Sequence, residues 1–357
     1  MNVLQIGSDV SVFQSHSPAH ARTGAYGRTF GALHMIVFSL KRHRLPRTRI
    51  GLETNVYPTA SVNRLLYIID AIRIARTIPD VDVVSVQDPF EIGIAGWLIA
   101  KMKKVPLHVQ VHTDFLSDGY GQHSLRNKIR VKIASFILPR AARVRVVSEK
   151  IRSGIEERYH LPIPVMILPI FTDVARFRDR EADPALAHRF RHFSKKLLIV
   201  SRLESEKNVS AAIDAFTAAP QDACLIILGE GSERMRLEKR AHKNGLSSRV
   251  FFEMGDPAAY YKLADLLLVP SFYEGYGLVI IEALAAGKPV LSTDVGIARE
   301  AGAIVTTEDK FADALADWFE NGPRTGELRN YPYANFEEYV RAYCDDIMAC
   351  TNGKKLL

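Results

Sequence analysis

Two cations follow an apolar run in the second half of the chain, and their position suits phosphate chemistry. Residues 196–201 read as a strand, Arg202 follows directly, and Lys207 lies five residues further on in the turn SRLESEKN. Doubly wound α/β folds bind ligands at the carboxyl ends of their strands, so two cations there fit a diphosphate. An isolated pair with this spacing is more often a solvated loop, and the interpretation therefore depends on its neighbours.

The next apolar run, 224–228, ends in a glycine turn. Gly229 and Gly231 lie in the sequence Leu-Gly-Glu-Gly-Ser. Glycines permit a tight turn from strand to helix and a close approach of the backbone to a ligand. Taken alone, this motif is weak support for a binding site.

The strongest signal is the segment SFYEGYGLVIIEALAAGKPV at residues 271–290. It predicts a glycine loop, a helix beginning near Gly277, and a strand. Such a helix directs its positive end at a phosphate. Glu282 falls on the first turns, where its carboxylate can accept hydrogen bonds from two ribose hydroxyls, while Glu274, before the loop, can hold sugar hydroxyls. Either glutamate alone would more often simply favour the helix dipole.

Polar side chains also follow strands in the first half. His112 comes directly after the run 107–111, and Asp114 follows it. Asp88 stands just past another apolar run. The two aspartates can orient acceptor hydroxyls or cap helices, and a lone histidine is more often structural.

The elements that must position these residues alternate along the chain. Short Val- and Ile-rich runs separated by helix-length segments indicate an α/β layered sheet, and the alternation restarts after a Pro-rich segment placed at 164–178. With 357 residues, two domains are expected. The runs predicted as strands are 3–6, 81–86, 107–111, 144–147, 196–201, 224–228, 250–252, 266–269 and 289–292; the helices include 61–77, 124–138 and a tail helix at 335–349.

The positive charge is concentrated in the first half. The net charge is +7, but residues 1–165 hold 23 Lys and Arg against 12 Asp and Glu. This excess indicates an anionic partner, which could be a phosphorylated acceptor, a membrane surface or a nucleic acid. Residues 125–145 predict a basic amphipathic helix, which either lies on an anionic membrane or packs on the core with a solvated basic face. Its members are Leu125, Arg126, Lys128, Ile129, Arg130, Lys132, Ile133, Phe136, Ile137, Arg140, Arg143 and Arg145.

The composition predicts a cytoplasmic location, with peripheral contact at the inner face of a membrane as the open addition. Apolar stretches fall short of the roughly 18 to 20 residues that cross a bilayer, and no secretory signal is visible at the first residues. The three cysteines, Cys224, Cys344 and Cys350, lack metal-ligand spacing and suit a reducing compartment.

These motifs together resemble the large retaining GT-B glycosyltransferase family often called family four. The resemblance is specific over residues 196–303 and continuous, though weaker, over most of the first half. It implies two Rossmann-like domains facing across a cleft, an acceptor domain at 1–170, a donor domain at 171–334, and a C-terminal helix at 335–357 that crosses back to the first domain.

The resemblance also implies roles for individual residues. Arg202 and Lys207 neutralise the donor diphosphate, and Glu282 binds the ribose. Glu274, with backbone amides near Tyr276, Gly277 and Leu278, contacts the donor sugar and phosphate. The turn glycines Gly229 and Gly231 belong to the same site, and His112 lies beside the donor sugar. The segment 22–27 resembles the family's glycine-rich loop near the donor phosphates through Gly24, although it lacks the usual paired glycines.

The predicted function is transfer of a sugar, with retention of anomeric configuration, from a nucleoside-diphosphate sugar to a hydroxyl of a glycan, lipid or lipid-linked acceptor. UDP or GDP is the favoured nucleotide, and no metal or permanently bound cofactor is expected, because the Asp-x-Asp metal clamp belongs to the other main glycosyltransferase fold and not to the family that this chain resembles. A DNA-modifying glycosyltransferase or nucleic-acid-binding protein, a sugar-nucleotide epimerase, a phosphorylase and an inactive sensor are the alternatives; nucleic acid is disfavoured because no continuous basic channel is apparent.

Overall fold

The computed structural model describes residues 1–352 and divides them into two compact units. Unit 1 comprises Met1–Pro169 together with residues 333–352, and unit 2 comprises Ile170–Pro332. Each unit is built around one sheet of its own.

Unit 1 contains an eight-stranded sheet with the order β3-β4-β2-β1-β5-β6-β7-β8. All neighbours pair in parallel except β3 with β4, which form an antiparallel hairpin at one edge. The strands are β1 (Asn2–Gly7), β2 (Ala32–Val37), β3 (Thr48–Ile50), β4 (Thr54–Pro58), β5 (Val83–Val86), β6 (Leu107–Val111), β7 (Arg143–Val146) and β8 (Val165–Ile167).

Six helices cover this sheet before the chain leaves unit 1. They are α1 (Pro18–Phe30), α2 (Tyr67–Arg76), α3 (Glu91–Lys103), α4 (Asp118–His123), α5 (Leu125–Ile137) and α6 (Glu149–Tyr159). Helix α3 packs between α2 and α5. The central strands β1, β5 and β6 are buried along almost their whole length, as expected for parallel strands covered on both faces.

Unit 2 contains a six-stranded parallel sheet with the order β11-β10-β9-β12-β13-β14. Its strands are β9 (Lys195–Val200), β10 (Ala223–Leu228), β11 (Val250–Glu253), β12 (Leu266–Val269), β13 (Val290–Thr293) and β14 (Ile304–Thr306). Its helices are α7 (Val174–Arg178), α8 (Pro184–Arg189), α9 (Val209–Ala215), α10 (Arg234–Lys243), α11 (Pro257–Leu263), α12 (Leu278–Ala285), α13 (Ala298–Ala301) and α14 (Phe311–Asn321).

The last helix, α15 (Phe336–Asn352), returns to unit 1 and packs on α1, β5 and β6. Tyr343 of α15 stacks on Tyr26 with 4.2 Å between ring centroids, and its hydroxyl accepts hydrogen bonds from the side chains of Gln5 and Gln110. The helix is therefore held by apolar and aromatic burial and by a buried polar network.

Two sequence predictions about local structure are wrong. Residues 22–27 are not a loop but part of α1, whose first turn is capped by Ser17 and opens with Pro18. Residues 125–145 are not one helix, because α5 ends at Ile137 and Arg143 begins β7. The segment placed at 164–178 as a linker contains β8 and α7.

Candidate functional site

Lys207 and Glu274 form a close ion pair in unit 2. The Lys207 ammonium lies 2.7 Å and 2.8 Å from the two carboxylate oxygens of Glu274, and each side chain is only 13% exposed. The hydroxyl of Ser271 donates a further hydrogen bond of 2.8 Å to Glu274. The pair is thus held in place by three charge-assisted bonds.

Arg202 follows the carboxyl end of β9 and is largely exposed to solvent. Its guanidinium contacts Glu206 at 3.2 Å, yet the side chain is 74% exposed. A surface pair of this kind contributes little stability. The guanidinium can therefore move to an anionic ligand at low cost.

The glycine turn after β10 is required by the close approach of two backbone segments. A Cβ atom on Gly229 would lie 1.9 Å from the carbonyl oxygen of Ser201, and one on Gly231 would lie 2.2 Å from that of Leu203. Gly229 also has a φ of +144°, which side chains rarely adopt. Packing alone thus explains both glycines, and their role in donor binding stays a prediction.

This turn borders a pocket of about 420 Å³. Arg202 and Gly229 line it together with Val279 of α12 and the segment after β11 that contains Met254 and Gly255. The pocket lies at the carboxyl ends of the neighbouring strands β9, β10 and β11, where the sequence predicted a ligand. Met254 and Gly255 gave no signal in the sequence because an isolated Met-Gly pair after a short strand carries no motif.

The start of α12 matches the expected helix N-terminus. Gly277, with a φ of +86°, is the residue before the helix, and Leu278 is its first residue. The first amides of a helix have no acceptor within it and carry its positive partial charge. Tyr276 is buried, and its carbonyl oxygen accepts a hydrogen bond of 2.9 Å from the backbone of Ile297, which fixes the turn.

Glu282 lies within α12 and contacts a tyrosine that the sequence did not indicate. The hydroxyl of Tyr261 donates a hydrogen bond of 2.8 Å to its carboxylate. Burial raises the pKa of Glu282, against the lowering effects of that hydrogen bond and of the charge on Arg176. A ligand that donates hydrogen bonds to this carboxylate would therefore stabilise its ionised form.

In unit 1, His112 follows β6 and belongs to a buried polar network. Its Nε2 lies 3.2 Å from Oε1 of Gln110, and a guanidinium nitrogen of Arg145 donates to the same oxygen at 2.9 Å. A guanidinium only donates, so this amide orientation makes Nε2 the protonated nitrogen of His112 and leaves Nδ1 as an acceptor. Burial and then the charge of Arg145 lower the pKa of His112 to about 3. The imidazole is therefore neutral near neutral pH.

The remaining predicted residues of unit 1 have structural partners. Asp88 accepts a hydrogen bond of 2.8 Å from the backbone of Phe90, the N-cap residue of α3, and burial raises its pKa to about 6. Asp114 is buried. A Cβ on Gly24 would lie 2.9 Å from Ile50, so the packing of α1 explains this glycine, and its contact with donor phosphates stays a prediction.

The structure brings together the predicted residues of unit 2. Lys207 contacts Glu274 directly, while Arg202 and Gly229 share a pocket with α12, the helix that carries Leu278 and Glu282. His112 and Gly24 belong to unit 1. Ser271 and Tyr261 are the partners that sequence reasoning missed; Ser271 lies inside the quoted motif, whereas Tyr261 reaches Glu282 only through the tertiary fold.

Two α/β units of this kind define a class of structures to which several solved proteins belong. The Anabaena protein HepE in complex with UDP is 18% identical, with a TM-score of 0.68, and the match covers 99% of this chain and 98% of HepE. Sucrose-phosphate synthase from Thermosynechococcus elongatus is 17% identical, with a TM-score of 0.74, and the match covers 99% of this chain and 97% of the synthase. These similarities confirm the predicted GT-B fold class of two Rossmann-like units.

The family follows from two sequence models that match consecutive parts of the chain. The model described as Glycosyltransferase Family 4 matches residues 8–176, and the model described as Glycosyl transferases group 1 matches residues 187–338. The chain therefore belongs to the group 1, family 4 glycosyltransferases, as the resemblance implied.

Individual relatives match over part of their length. Alpha-monoglucosyldiacylglycerol synthase of Streptococcus pneumoniae is 26% identical over 229 residues, which are 59% of this chain and 51% of the relative. D-inositol 3-phosphate glycosyltransferase of Xylanimonas cellulosilytica is 31% identical over 224 residues, which are 57% of this chain and 54% of the relative. The chain thus spans about half the length of the curated relatives it matches.

Residues 1–352 contain neither a candidate membrane-spanning helix nor a candidate metal site. No helix there combines the length and apolar character needed to cross a bilayer. No group of three or more His, Cys, Asp or Glu side chains is arranged to hold a metal ion in that part of the chain.

Proposed function

We propose that this protein transfers a sugar from a nucleoside-diphosphate sugar to an acceptor hydroxyl, with unit 2 holding the donor. The observation that carries the proposal is the Lys207–Glu274 pair, 2.7 Å apart and only 13% exposed, in the segment that leads into α12. A cation for the diphosphate and a carboxylate for sugar hydroxyls are thus fixed side by side.

The chemistry requires charge on the leaving group to be neutralised. As the bond from the anomeric carbon to the diphosphate oxygen breaks, negative charge builds on the diphosphate, so preorganised cations and amides lower the barrier. Lys207, Arg202 and the first amides of α12 supply them. Donor binding would shift Lys207 from Glu274 towards the phosphate and leave the carboxylate for the sugar.

The nucleoside would occupy the pocket of about 420 Å³ beside Gly229 and Val279. Glu282 would accept hydrogen bonds from the ribose hydroxyls, for which its carboxylate has two acceptor oxygens. UDP is the favoured nucleotide, since HepE was solved with UDP and with UDP-glucose; GDP is the second candidate.

Retention of anomeric configuration and independence from metal ions complete the proposal and are supported by the family. Contact of the neutral His112 with the donor sugar stays a prediction. Its Nδ1 would accept a hydrogen bond from a sugar hydroxyl. Because its pKa is lowered to about 3, the neutral imidazole carries no acidic proton to donate at the start of the reaction.

The acceptor is proposed to be a hydroxyl of a glycan, lipid or lipid-linked molecule. Two relatives are named alpha-monoglucosyldiacylglycerol synthase and D-inositol 3-phosphate glycosyltransferase. These names fit acceptors of different polarity, so they support the reaction type rather than one acceptor. Membership of this family disfavours the epimerase and the nucleic-acid alternatives. A cytoplasmic location, with peripheral membrane contact through residues 125–145, stays a prediction.

A panel of UDP-, GDP- and ADP-sugars tests the proposed function. We expect one donor to raise the thermal unfolding midpoint, because a ligand that binds only the native state stabilises it, and to release nucleoside diphosphate slowly in the presence of EDTA. Full loss of turnover in EDTA would refute metal independence. No shift and no release with any donor would refute the transferase proposal.

A further inference from the structure

Part of the positive charge of the first half lies in a segment that contains no acidic residue. Residues 38–52 contain five Lys and Arg and no Asp or Glu. Strands β2 and β4 are parallel neighbours, so the loops after them leave the sheet at the same end, the carboxyl end of its strands. Leu40 in the first loop bridges to Ser61 in the second, and the Lys41 amide donates a hydrogen bond of 2.9 Å to the Ser61 carbonyl oxygen. The two loops therefore form one continuous surface.

Five cations belong to this surface, which we call the basic edge. Its cations are Lys41, Arg42, Arg44, Arg47 and Arg64. All five side chains are exposed, and none of them is in an ion pair within residues 1–352. Arg47 lies over the ring of Tyr57, near the end of β4, which places it at the same end of the sheet. The cations are thus available to an external anion.

Exposed aliphatic side chains lie near these cations. Leu65 is 87% exposed, Val62 75% and Ile69 47%. The side chain of Asn63 accepts hydrogen bonds from the amides of Leu65 and Leu66, so the turn that presents Leu65 is fixed. Ile69 follows one turn later in α2. Exposed apolar groups in a cluster mark an interaction surface.

We propose that the basic edge, with Val62, Leu65 and Ile69, docks on an anionic lipid surface. Cations attract an anionic bilayer, and aliphatic side chains enter its headgroup and acyl boundary. Nucleic acid would use the cations equally, but a single strand is bound through stacking on aromatic rings, and the exposed apolar side chains of this surface, Val62, Leu65 and Ile69, are aliphatic. The combination of aliphatic tips and unpaired cations therefore favours the bilayer.

The basic edge fits an anionic lipid surface better than residues 125–145 do. Arg126 and Arg130 of that segment pair with Glu91, and Arg143 pairs with Asp346. Arg145 is 1% exposed and lies in the interior. Helix α5 has exposed Lys128 and Lys132 beside exposed Leu125 and Ile129. It is therefore the competing surface, and its two lysines provide the control substitutions.

Vesicle sedimentation without any donor tests the inference independently of the proposed function. Vesicles of phosphatidylglycerol in phosphatidylcholine are compared with pure phosphatidylcholine. Each cation near an anionic surface contributes about fivefold in affinity, so Arg42→Gln with Arg64→Gln should weaken binding about 30-fold. Val62→Ser with Leu65→Ser should weaken it about tenfold. The matched pair Lys128→Gln with Lys132→Gln should change it less than about threefold.

Three outcomes would overturn the inference. They are absence of wild-type binding to anionic vesicles, equal or greater loss in the α5 pair, and full binding by the Val62 and Leu65 variant, which would show that the aliphatic side chains do not enter the bilayer. All substituted side chains are exposed, so unchanged thermal unfolding midpoints are expected and confirm that each variant is folded.

Discussion

Lys207→Ala should lower the turnover number with the preferred donor by about 100- to 1000-fold, the usual cost of removing one group that stabilises charge in the transition state. Negative charge on the leaving diphosphate is larger in the transition state than in the bound donor. The loss should therefore appear mainly in kcat and less in KM. Initial rates of nucleoside diphosphate release over a range of donor concentrations measure both constants.

Lys239→Ala is the matched control for this substitution. Lys239 is exposed on α10 in the same unit, and its removal should leave both constants unchanged. Since Lys207→Ala also leaves Glu274 without its cation, Glu274→Gln in the same background separates loss of the pair from loss of the charge. A Lys207→Ala enzyme that kept its kcat within about threefold of wild type would show that another group neutralises the leaving group.

Glu282→Gln should weaken donor binding about tenfold or more, because hydrogen bonds to a charged group are worth about 1.5–3 kcal/mol and those to an amide less. Calorimetric titration with the nucleoside diphosphate measures the dissociation constant directly. Wild-type affinity should also fall as the pH is lowered through the raised pKa of Glu282, whereas the affinity of the glutamine variant should not follow that titration.

The same variant should be more stable than the wild type near neutral pH. Burial raises the pKa of Glu282 in the folded chain, so the ionised carboxylate lowers the free energy of unfolding above that pKa. The effect disappears below the pKa of the unfolded chain, where both states are protonated. Urea unfolding at neutral and at acidic pH should therefore show a gain that vanishes in acid. A glutamine variant that is less stable than wild type at neutral pH would contradict the account of this site.

A strand could be predicted from the sequence where its buried residues form a continuous apolar run. Strand β12 was predicted at 266–269 and is found there, because four consecutive apolar residues are buried in it. Strands β3 and β4 were missed, since an edge hairpin tolerates polar residues such as Arg49 and Asn55 and gives no apolar run.

Helix α1 shows why glycines mislead. Gly24 and Gly27 suggested a loop, yet a Cβ on Gly27 would lie 1.8 Å from the side chain of Thr54 and one on Gly24 would lie 2.9 Å from Ile50. The glycines allow the helix to lie close to the sheet edge. The Ser17-Pro18 start was the signal for a helix.

The candidate site was predictable only in its motif residues. The loop from Glu274 to Gly277 and the helix behind it follow from local sequence, since glycine and helix-start preferences act over a few positions. The contact of Tyr261 with Glu282 and that of Arg145 with Gln110 join different elements. Such contacts depend on how helices and strands pack, which no short motif records.

Hydrogen exchange with the preferred donor tests the central claim, that unit 2 binds a sugar nucleotide at the carboxyl ends of its strands. Mass spectrometry of the protein with and without the donor locates the protected amides. We expect slower exchange in unit 2 at residues 201–208, 229–232 and 274–283, and unchanged exchange in α10 and α14. Protection of other parts of unit 2 with none in these three segments would contradict the claim.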